Sequence, residues 1–239
     1  MRPLPFWDHV EDLRKMLIRS GWAILLTTLL SFTFHKQIFH LLSAPLSIEG
    51  LYLLSPLEGF STAAKLSLWM GILLSSPLWL YFLLIFLLPA LRPRERRLLF
   101  PFLVLSLVFI GCGILFAYTI TLPIVMQFFK TFNSGLGTNM WSVSQTFDLA
   151  IGLLLAHGIV FELYVVLLFF VRFQILSYTL LKKARRGFIV VIFILAAILT
   201  PPDVLSQLLL ALPMYLLFES VLFYARLKSK KIVVVEKKE

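Results

Sequence analysis

The stretch of sequence that decides the fold covers residues 149–171 and reads LAIGLLLAHGIVFELYVVLLFFV. As a helix it is long enough to cross a hydrocarbon core about 30 Å thick, and Glu162 is its one charged residue. An ionised carboxylate at such a depth is costly, so residues of this kind face a bundle interior or a water-filled cavity. Glu162 therefore either joins helices as a protonated or hydrogen-bonded group or marks the path of a substrate, and the sequence favours the second interpretation. Gln207, in the last apolar segment, is a second polar group with the same two interpretations.

The composition of the whole chain agrees with this segment. Of 239 residues, 60% are hydrophobic and 14% are charged, and the mean hydropathy is +0.94. These values indicate an all-α polytopic membrane protein. Cys112 is the single cysteine, so the sequence offers neither a disulfide framework nor a thiol metal site. The four histidines, His9, His35, His40 and His157, lack the spacing of metal ligands. We expect no metal ion and no cofactor.

Apolar segments predict six transmembrane helices within one integral membrane domain, residues 1–226. Their approximate ranges are 20–39, 62–88, 98–122, 149–171, 187–202 and 204–225. Apolar residues at helical spacing ahead of the first range predict a cytoplasmic interfacial helix in residues 1–19. Residues 227–239 form a basic cytoplasmic tail that we expect to be disordered.

Prolines and glycines indicate how two of these helices are shaped. Pro77 predicts a kink in the second helix, with Ser75 and Ser76 available to satisfy the freed backbone groups. Gly111 and Gly113 favour close approach of another helix to the third.

The last two predicted helices are short. Their apolar runs, residues 187–202 and 204–218, have sixteen and fifteen residues, whereas the membrane core asks for about 20. Pro201 and Pro202 end the first of them and Asp203 can cap the second, so the pair is predicted to form a tight hairpin. Such a pair thins the bilayer locally or draws water toward the site.

The positive residues predict the orientation. Nineteen of the 22 Lys and Arg residues fall in four places: the N-terminal segment, the loop around Arg92, the connection at residues 172–186 and the tail from Arg226. Positive residues concentrate on the cytoplasmic side of membrane proteins, so both termini are predicted to be cytoplasmic. The net charge of +10 is thereby explained by orientation rather than by nucleic-acid binding.

Short motifs along the chain carry a resemblance to a known family. In chain order they are FWDHVEDLRK (6–15), SAPL (43–46), PLEGF (56–60), FLLPAL (86–91) with ERR (95–97), FAY (116–118), FEL (161–163), and TPPD (200–203) with SQ (206–207). Each motif alone is weak, but in this combination and order they resemble the TatC family, the polytopic core subunits of the twin-arginine protein translocase. The resemblance covers residues 6–226.

The resemblance implies a fold, a function and partners. Members of the family form a concave bundle of six helices in the bacterial cytoplasmic (inner) membrane. They recognise twin-arginine signal peptides of folded precursors, and they assemble with small single-span subunits of the TatA and TatB type in a complex that holds several copies. Transport is driven by the proton-motive force, which agrees with the absence of a phosphate-binding loop of the Gly-x-x-x-x-Gly-Lys type from the sequence. The implied role is binding and transport, and we expect no enzyme.

The resemblance also implies residue roles. Signal-peptide binding falls to Glu95, Glu11, Asp12, Phe86 and Arg14. The intramembrane polar or partner site consists of Glu162 and Gln207, and the structural positions on the periplasmic side are Pro45, Glu58, Pro201, Pro202 and Asp203. Carboxylates suit consecutive arginines because they accept paired N–H bonds, a geometry that lysine cannot copy. The sequence departs from the family's pattern in having Asp12 for Glu, Met16 for Arg and Tyr164 for Pro.

Two other classes of protein fit part of the sequence. A proton-coupled secondary transporter of a small solute would also use a lone buried acid and a kinked bundle, but such transporters commonly have internal repeats, and none is visible here. An intramembrane enzyme would need a nucleophile and a base inside the membrane. His157 and the serines of the apolar segments form no recognisable motif of that kind.

Overall fold

The structure is a computed structural model that describes residues 6–46, 50–87, 89, 96–200 and 203–236, with the backbone alone for residues 6 and 230–236. Nine α-helices lie within the described part of the chain. They are α1 (Phe6–Thr33), α2 (His35–Ser43), α3 (Glu58–Leu74), α4 (Ser76–Leu87), α5 (Leu99–Phe116), α6 (Leu122–Ser134), α7 (Val143–Arg172), α8 (Tyr178–Leu199) and α9 (Val204–Glu236). Two short strands, β1 (Leu51–Tyr52) and β2 (Trp141–Ser142), pair in parallel. The described chain is thus almost entirely helical, as the sequence predicts.

Helix α1 joins two predicted elements. The interfacial segment and the first apolar segment form one uninterrupted helix from Phe6 to Thr33, and a turn at Phe34 separates it from α2. Helix α1 packs closely on α3 where Thr28 meets Gly71. A Cβ added to Gly71 would lie 2.7 Å from the Cα of Thr28, and Thr27 Oγ1 donates to the carbonyl of Gly71 at 2.8 Å. A small residue therefore lets the two backbones approach, and a hydroxyl joins them.

The predicted kink in the second apolar segment is confirmed. Helices α3 and α4 are bent by 51° at Ser75, two residues before Pro77, which lacks the N–H that would bond the preceding turn. The side chains of Ser75 and Trp79 both donate to the carbonyl of Ile72, each at 3.1 Å. The carbonyl of Ile72 at the bend is therefore satisfied by side chains of the same segment.

The third apolar segment does not end at residue 122. Residues Ala117–Thr121 form a π-helical turn, and α6 continues to Ser134, so one helical segment runs from Arg96 to Ser134. Pro123 follows the π-helical turn, and a local change of helical register of this kind accommodates a proline without ending the helix.

The two last helices extend beyond their apolar runs. Helix α8 begins at Tyr178, nine residues before the predicted segment, and so includes Lys182, Lys183, Arg185 and Arg186. Helix α9 continues to Glu236, so the tail predicted to be disordered from residue 227 is helical to residue 236. Residues 227–236 contain neither glycine nor proline that would end the helix.

The described residues contain four helices long and apolar enough to cross a membrane, and a fifth span if the bent pair α3 and α4 is counted as one. Helix α8 is not among them because the four basic residues fall in its first half. The number of six transmembrane helices is consistent with this result and stays a prediction.

The chain divides into two compact units. The first comprises residues up to Leu107 together with Met140–Ile151, and the second comprises Val108–Asn139 and the residues from Gly152 onward. In the first unit α1 packs mainly on α3 and α4. In the second unit α8 and α9 enclose a core that includes Leu181, Leu210 and Val221, which are almost fully buried.

Candidate functional site

A groove between α1 and α4 holds two of the five residues predicted to bind a signal peptide. Its volume is about 320 Å³. Asp12, Lys15, Met16 and Arg19 of α1, Phe82, Ile85 and Phe86 of α4, and Pro89 line it. On α1, residues 15 and 16 lie three and four positions after residue 12, and residue 19 lies four and three positions after them, which places all four on one helical face. The groove thus combines a carboxylate and two cations with an apolar, aromatic wall.

The other three predicted residues lie elsewhere. Glu11 and Arg14 are exposed and form an ion pair at 3.4 Å, and Lys15 approaches the same carboxylate at 3.8 Å. Exposed pairs of this kind contribute little to stability, so Glu11 can exchange partners easily. Glu95 lies outside the described residues.

His9 is a member of this region that the sequence analysis did not predict. Its ring stacks on that of Phe86, with 4.6 Å between centroids. His9 lies three residues before Asp12 and so shares its helical face. That spacing could have identified it, but the stacking partner is 77 residues away in the sequence.

Glu162 lies in α7 within the second unit and is half-buried. The aromatic rings of Phe161 and Tyr164, on either side of it in sequence, contact Phe109, with centroid distances of 6.4 and 4.7 Å. The carboxylate is therefore carried by a helix that is packed by aromatic side chains.

His157, one turn before Phe161, has a structural position. It is fully buried; Nδ1 lies 2.8 Å from the carbonyl oxygen of Leu153 and Nε2 lies 3.1 Å from Thr121 Oγ1. A neutral imidazole suits this arrangement, because Nδ1–H can donate to the carbonyl while Nε2 accepts from the hydroxyl. The histidine thus joins α7 to the π-helical turn. Gly113 allows the close approach there, because a Cβ on it would lie 2.6 Å from the carbonyl oxygen of His157.

The hairpin between α8 and α9 is partly as predicted. Asp203 Oδ1 accepts a hydrogen bond from the backbone N–H of Ser206 at 2.7 Å, which confirms the predicted cap of α9. Pro201 and Pro202 lie outside the described residues. Gln207 Nε2 donates to the carbonyl of Phe193 at 3.1 Å, so Gln207 makes the hydrogen bond within the bundle that was one of its two interpretations.

Glu58 organises the end of the first unit that is predicted to be periplasmic. It lies ahead of the apolar segment that begins at residue 62, and its side chain is buried. Oε1 accepts from Ser142 Oγ at 2.6 Å and from the Ser144 N–H at 2.7 Å, and Oε2 accepts from the Ser55 N–H at 3.2 Å and from the Leu54 N–H.

These hydrogen bonds, that of Ser142 first, lower the pKa of Glu58 from 4.5 to about 2, although burial opposes the shift. One carboxylate thus ties the loop before α3 to β2 and the start of α7. Pro45 lies in a 3₁₀ turn, Ala44–Leu46, that follows α2.

These features define a class of protein: an all-helical, polytopic membrane protein whose described residues contain no group of three or more His, Cys, Asp or Glu side chains able to hold a metal ion. Comparison with known proteins gives the family. The chain belongs to the TatC family, because a family model described as Sec-independent protein translocase protein (TatC) matches residues 8–213. It is thus a component of a protein translocase.

Individual relatives agree over nearly the whole chain. The chain is 36% identical to Sec-independent protein translocase protein TatC of Desulforapulum autotrophicum, over 95% of this chain and 86% of that protein. It is 34% identical to the protein of the same name from Aquifex aeolicus, over 98% and 100%. A solved structure described as the twin arginine translocase receptor TatC has a TM-score of 0.82 and 35% identity, covering 92% of this chain and 99% of that one.

Proposed function

We propose that this chain recognises twin-arginine signal peptides of folded precursor proteins and nucleates assembly with small single-span subunits of the TatA and TatB type. Export is then driven by the proton-motive force. The observation that carries the proposal is the groove between α1 and α4, which brings Asp12 and Phe86 together. A solved relative at 35% identity bears the description of a twin arginine translocase receptor, which supports the same function.

The charged residues of the groove indicate which carboxylates would bind the two arginines. Asp12 shares the groove with Lys15 and Arg19, so its wall carries one acid and two bases. Two incoming arginines therefore need a further carboxylate. Glu95 can supply it, because it follows Pro89 at the rim by six residues, a reach of at most about 20 Å. Glu11 is paired only weakly with Arg14 at the surface and can therefore exchange this partner for an arginine of the peptide.

Phe86 supplies the apolar half of the recognition. It lines the groove together with Phe82 and Ile85, and His9 stacks on it. The apolar residues that follow the arginines of a signal peptide would pack on this wall. Glu162, in the second unit, would offer a polar partner to the apolar segment of the signal or to the helix of a small subunit.

The distribution of Lys and Arg supports a location in the bacterial cytoplasmic membrane with both termini cytoplasmic. The groove lies at the N-terminal, cytoplasmic part of α1 in that orientation. A signal peptide would thus meet Asp12 and Glu95 before it enters the membrane. Several copies of the chain, together with the single-span subunits, form the transport complex.

The experiment that tests this function is peptide binding to the full chain in nanodiscs. A labelled twin-arginine peptide and its twin-lysine counterpart are titrated against wild type, Asp12→Asn, Glu95→Gln and, as a charge-matched control on the exposed surface of α1, Asp8→Asn. A charge-assisted hydrogen bond contributes about 1.5–3 kcal/mol. We therefore expect each of the first two substitutions to weaken arginine-peptide binding about tenfold or more, with Asp8→Asn close to wild type.

In Asp12→Asn and Glu95→Gln the preference for the twin-arginine over the twin-lysine peptide should also decrease, because only arginine forms the paired bonds that these carboxylates accept. Equal binding of both peptides by wild type, with small partner subunits present, would refute the receptor function. Equal effects of Asp12→Asn and Asp8→Asn would refute the assignment of the groove.

A further inference from the structure

Two cavities of the second unit lie outside the groove described above. The first lies between α7, α8 and α9, has a volume of about 320 Å³, and is lined by apolar side chains, with the hydroxyl of Tyr164 as the one polar side-chain group. It extends along α7 from Val160 to Phe170, which is about 15 Å at helical rise. Leu163 and Val191, both in its wall, are 40% and 48% exposed, so the cavity reaches the surface that faces the membrane.

The second cavity has a volume of about 350 Å³ and a wall that contains both polar and apolar side chains. Ser177, Thr179, Lys228 and Ser229 contribute hydroxyl groups and an ammonium group to its wall. Lys228 Nζ donates to the carbonyls of Val171 and Arg172 at 2.9 and 2.7 Å. Because an ammonium group has three donors, the third is available to an anion in this cavity.

The two cavities meet at Leu176, which lines both. An apolar chamber thus adjoins a cationic, hydroxyl-lined one at the basic end of α7 and α8. An apolar cavity beside a cationic one suits a phospholipid of the bilayer. Its acyl chain needs an apolar site, and its phosphate needs hydrogen-bond donors and positive charge.

We propose that the joined cavities bind one anionic phospholipid, with an acyl chain between α7, α8 and α9 and the phosphate beside Lys228 and the hydroxyls of Ser177 and Thr179. The surrounding charges favour an anionic headgroup over a zwitterionic one. Arg172, Lys182, Lys183 and Arg186 are exposed at this end of the unit.

The acid Glu219 does not oppose this preference, because it pairs with Arg185 at 2.6 Å. The hydroxyl of Tyr215 and the carboxylate of Glu219 raise the pKa of Arg185, so the guanidinium stays charged.

A transmembrane helix of a partner protein fits the apolar cavity poorly. A helix with its side chains is about 10 Å across. A hydrocarbon chain is much thinner than a helix. It can also enter the cavity from the bilayer, because Leu163 and Val191 in the cavity wall are exposed at the membrane-facing surface.

The test uses the full chain, delipidated in detergent, and native mass spectrometry. Phosphatidylglycerol, phosphatidylcholine and glycerol 3-phosphate are titrated separately. We expect one phosphatidylglycerol per chain, bound at least tenfold more tightly than phosphatidylcholine, with no binding of glycerol 3-phosphate at the same concentrations because it lacks the acyl chain. Equal binding of the two lipids, or binding of glycerol 3-phosphate as tight as that of the lipid, would overturn the proposal.

Two pairs of variants locate the lipid. Val191→Trp fills the apolar cavity, while Val190→Trp adds the same side chain one residue away, at an exposed position that does not line the cavity. We expect a loss of at least tenfold for the first and less than twofold for the second. Thr179→Glu places a negative charge in the second cavity at a helix start that tolerates it, and should abolish the preference for phosphatidylglycerol, whereas Thr179→Gln should retain it.

Equal behaviour within both pairs would overturn the proposal, as would a photoreactive group at position 191 that labels a second protein chain instead of phospholipid. The Thr179 pair keeps the test valid if Val191→Trp does not fold. None of these results depends on the signal-peptide groove.

Discussion

Three carboxylates of this chain have the same chemistry and three different surroundings. Glu58 is buried and accepts four hydrogen bonds. Asp12 lines an open groove beside two bases, and Glu162 is half-buried in an apolar helix. The first is satisfied within its own unit and therefore acts as a structural tie, whereas the second lies where an incoming cation can reach it.

The pH dependence of stability distinguishes the role of Glu58. Its pKa is about 2 in the folded chain against a usual value of 4.5. The carboxylate therefore stabilises the fold above about pH 4.5, and this contribution is lost as the pH falls toward 2. Glu58→Gln should unfold at a lower temperature than wild type at pH 7, and the difference between the two should shrink between pH 5 and pH 3.

The measurement is thermal unfolding in detergent at a series of pH values. Glu11→Gln, at an exposed and weakly paired position, is the control and should show no such convergence. A constant difference between wild type and Glu58→Gln across this range would contradict the role of the ionised carboxylate.

Two prolines show which features of helix shape can be predicted from the sequence and which cannot. Pro77 predicts a kink, and the structure bends by 51° beside it. Pro123 follows a π-helical turn and leaves the helix continuous to Ser134. The sequence identifies the missing N–H in both cases, but not whether the chain will respond by bending or by shifting its helical register, because that response depends on neighbouring helices.

Two glycines of α5 provide a matched test of helix packing. A Cβ on Gly113 would lie 2.6 Å from a backbone oxygen of α7, whereas a Cβ on Gly111 would meet nothing within 4 Å. Gly113→Ala should therefore destabilise the protein by about 1–3 kcal/mol. Gly111→Ala should leave stability unchanged or raise it slightly, because alanine is the better helix former.

Unfolding in detergent by heat or denaturant measures both variants. The sequence favours close approach at both glycines, and the structure confirms it at Gly113 alone. Equal destabilisation by the two substitutions would show that α5 and α7 do not meet as described.

For the whole molecule, the sequence predicted the class and the family, because hydropathy and ordered motifs are properties of the chain itself. The groove could not be predicted in the same way. Asp12 belongs to α1 and Phe86 to α4, and their proximity depends on how α1 packs on these helices. The joined cavities of the second unit likewise combine side chains of three helices and a connecting loop. Family resemblance identified Asp12 and Phe86 one at a time, but not the surroundings they share.

Transport by the whole complex separates binding from the later steps. Glu162 lies in the second unit and the groove in the first. Glu162→Ala should therefore reduce export of a folded precursor by tenfold or more, while affinity for the signal peptide changes less than threefold. Export by membrane vesicles and peptide titration in nanodiscs are the two measurements, with Glu162→Gln testing whether charge or a polar group is needed. Equal losses of export and of peptide affinity would show that peptide binding and the later transport steps are not separated between the two units.

The hydrogen bonds of Glu58 also set an order of events during biosynthesis. Ser142 follows Glu58 by 84 residues, and a ribosome that adds 5–20 residues per second needs roughly 4 to 17 s to make that interval. Until then the newly made loop before α3 lacks the partners that hold it, although α1 and α3 are already complete. In the nascent chain this loop is thus held only after the start of α7 has been made and has reached the same side of the membrane, where its hydrogen bonds to Glu58 form.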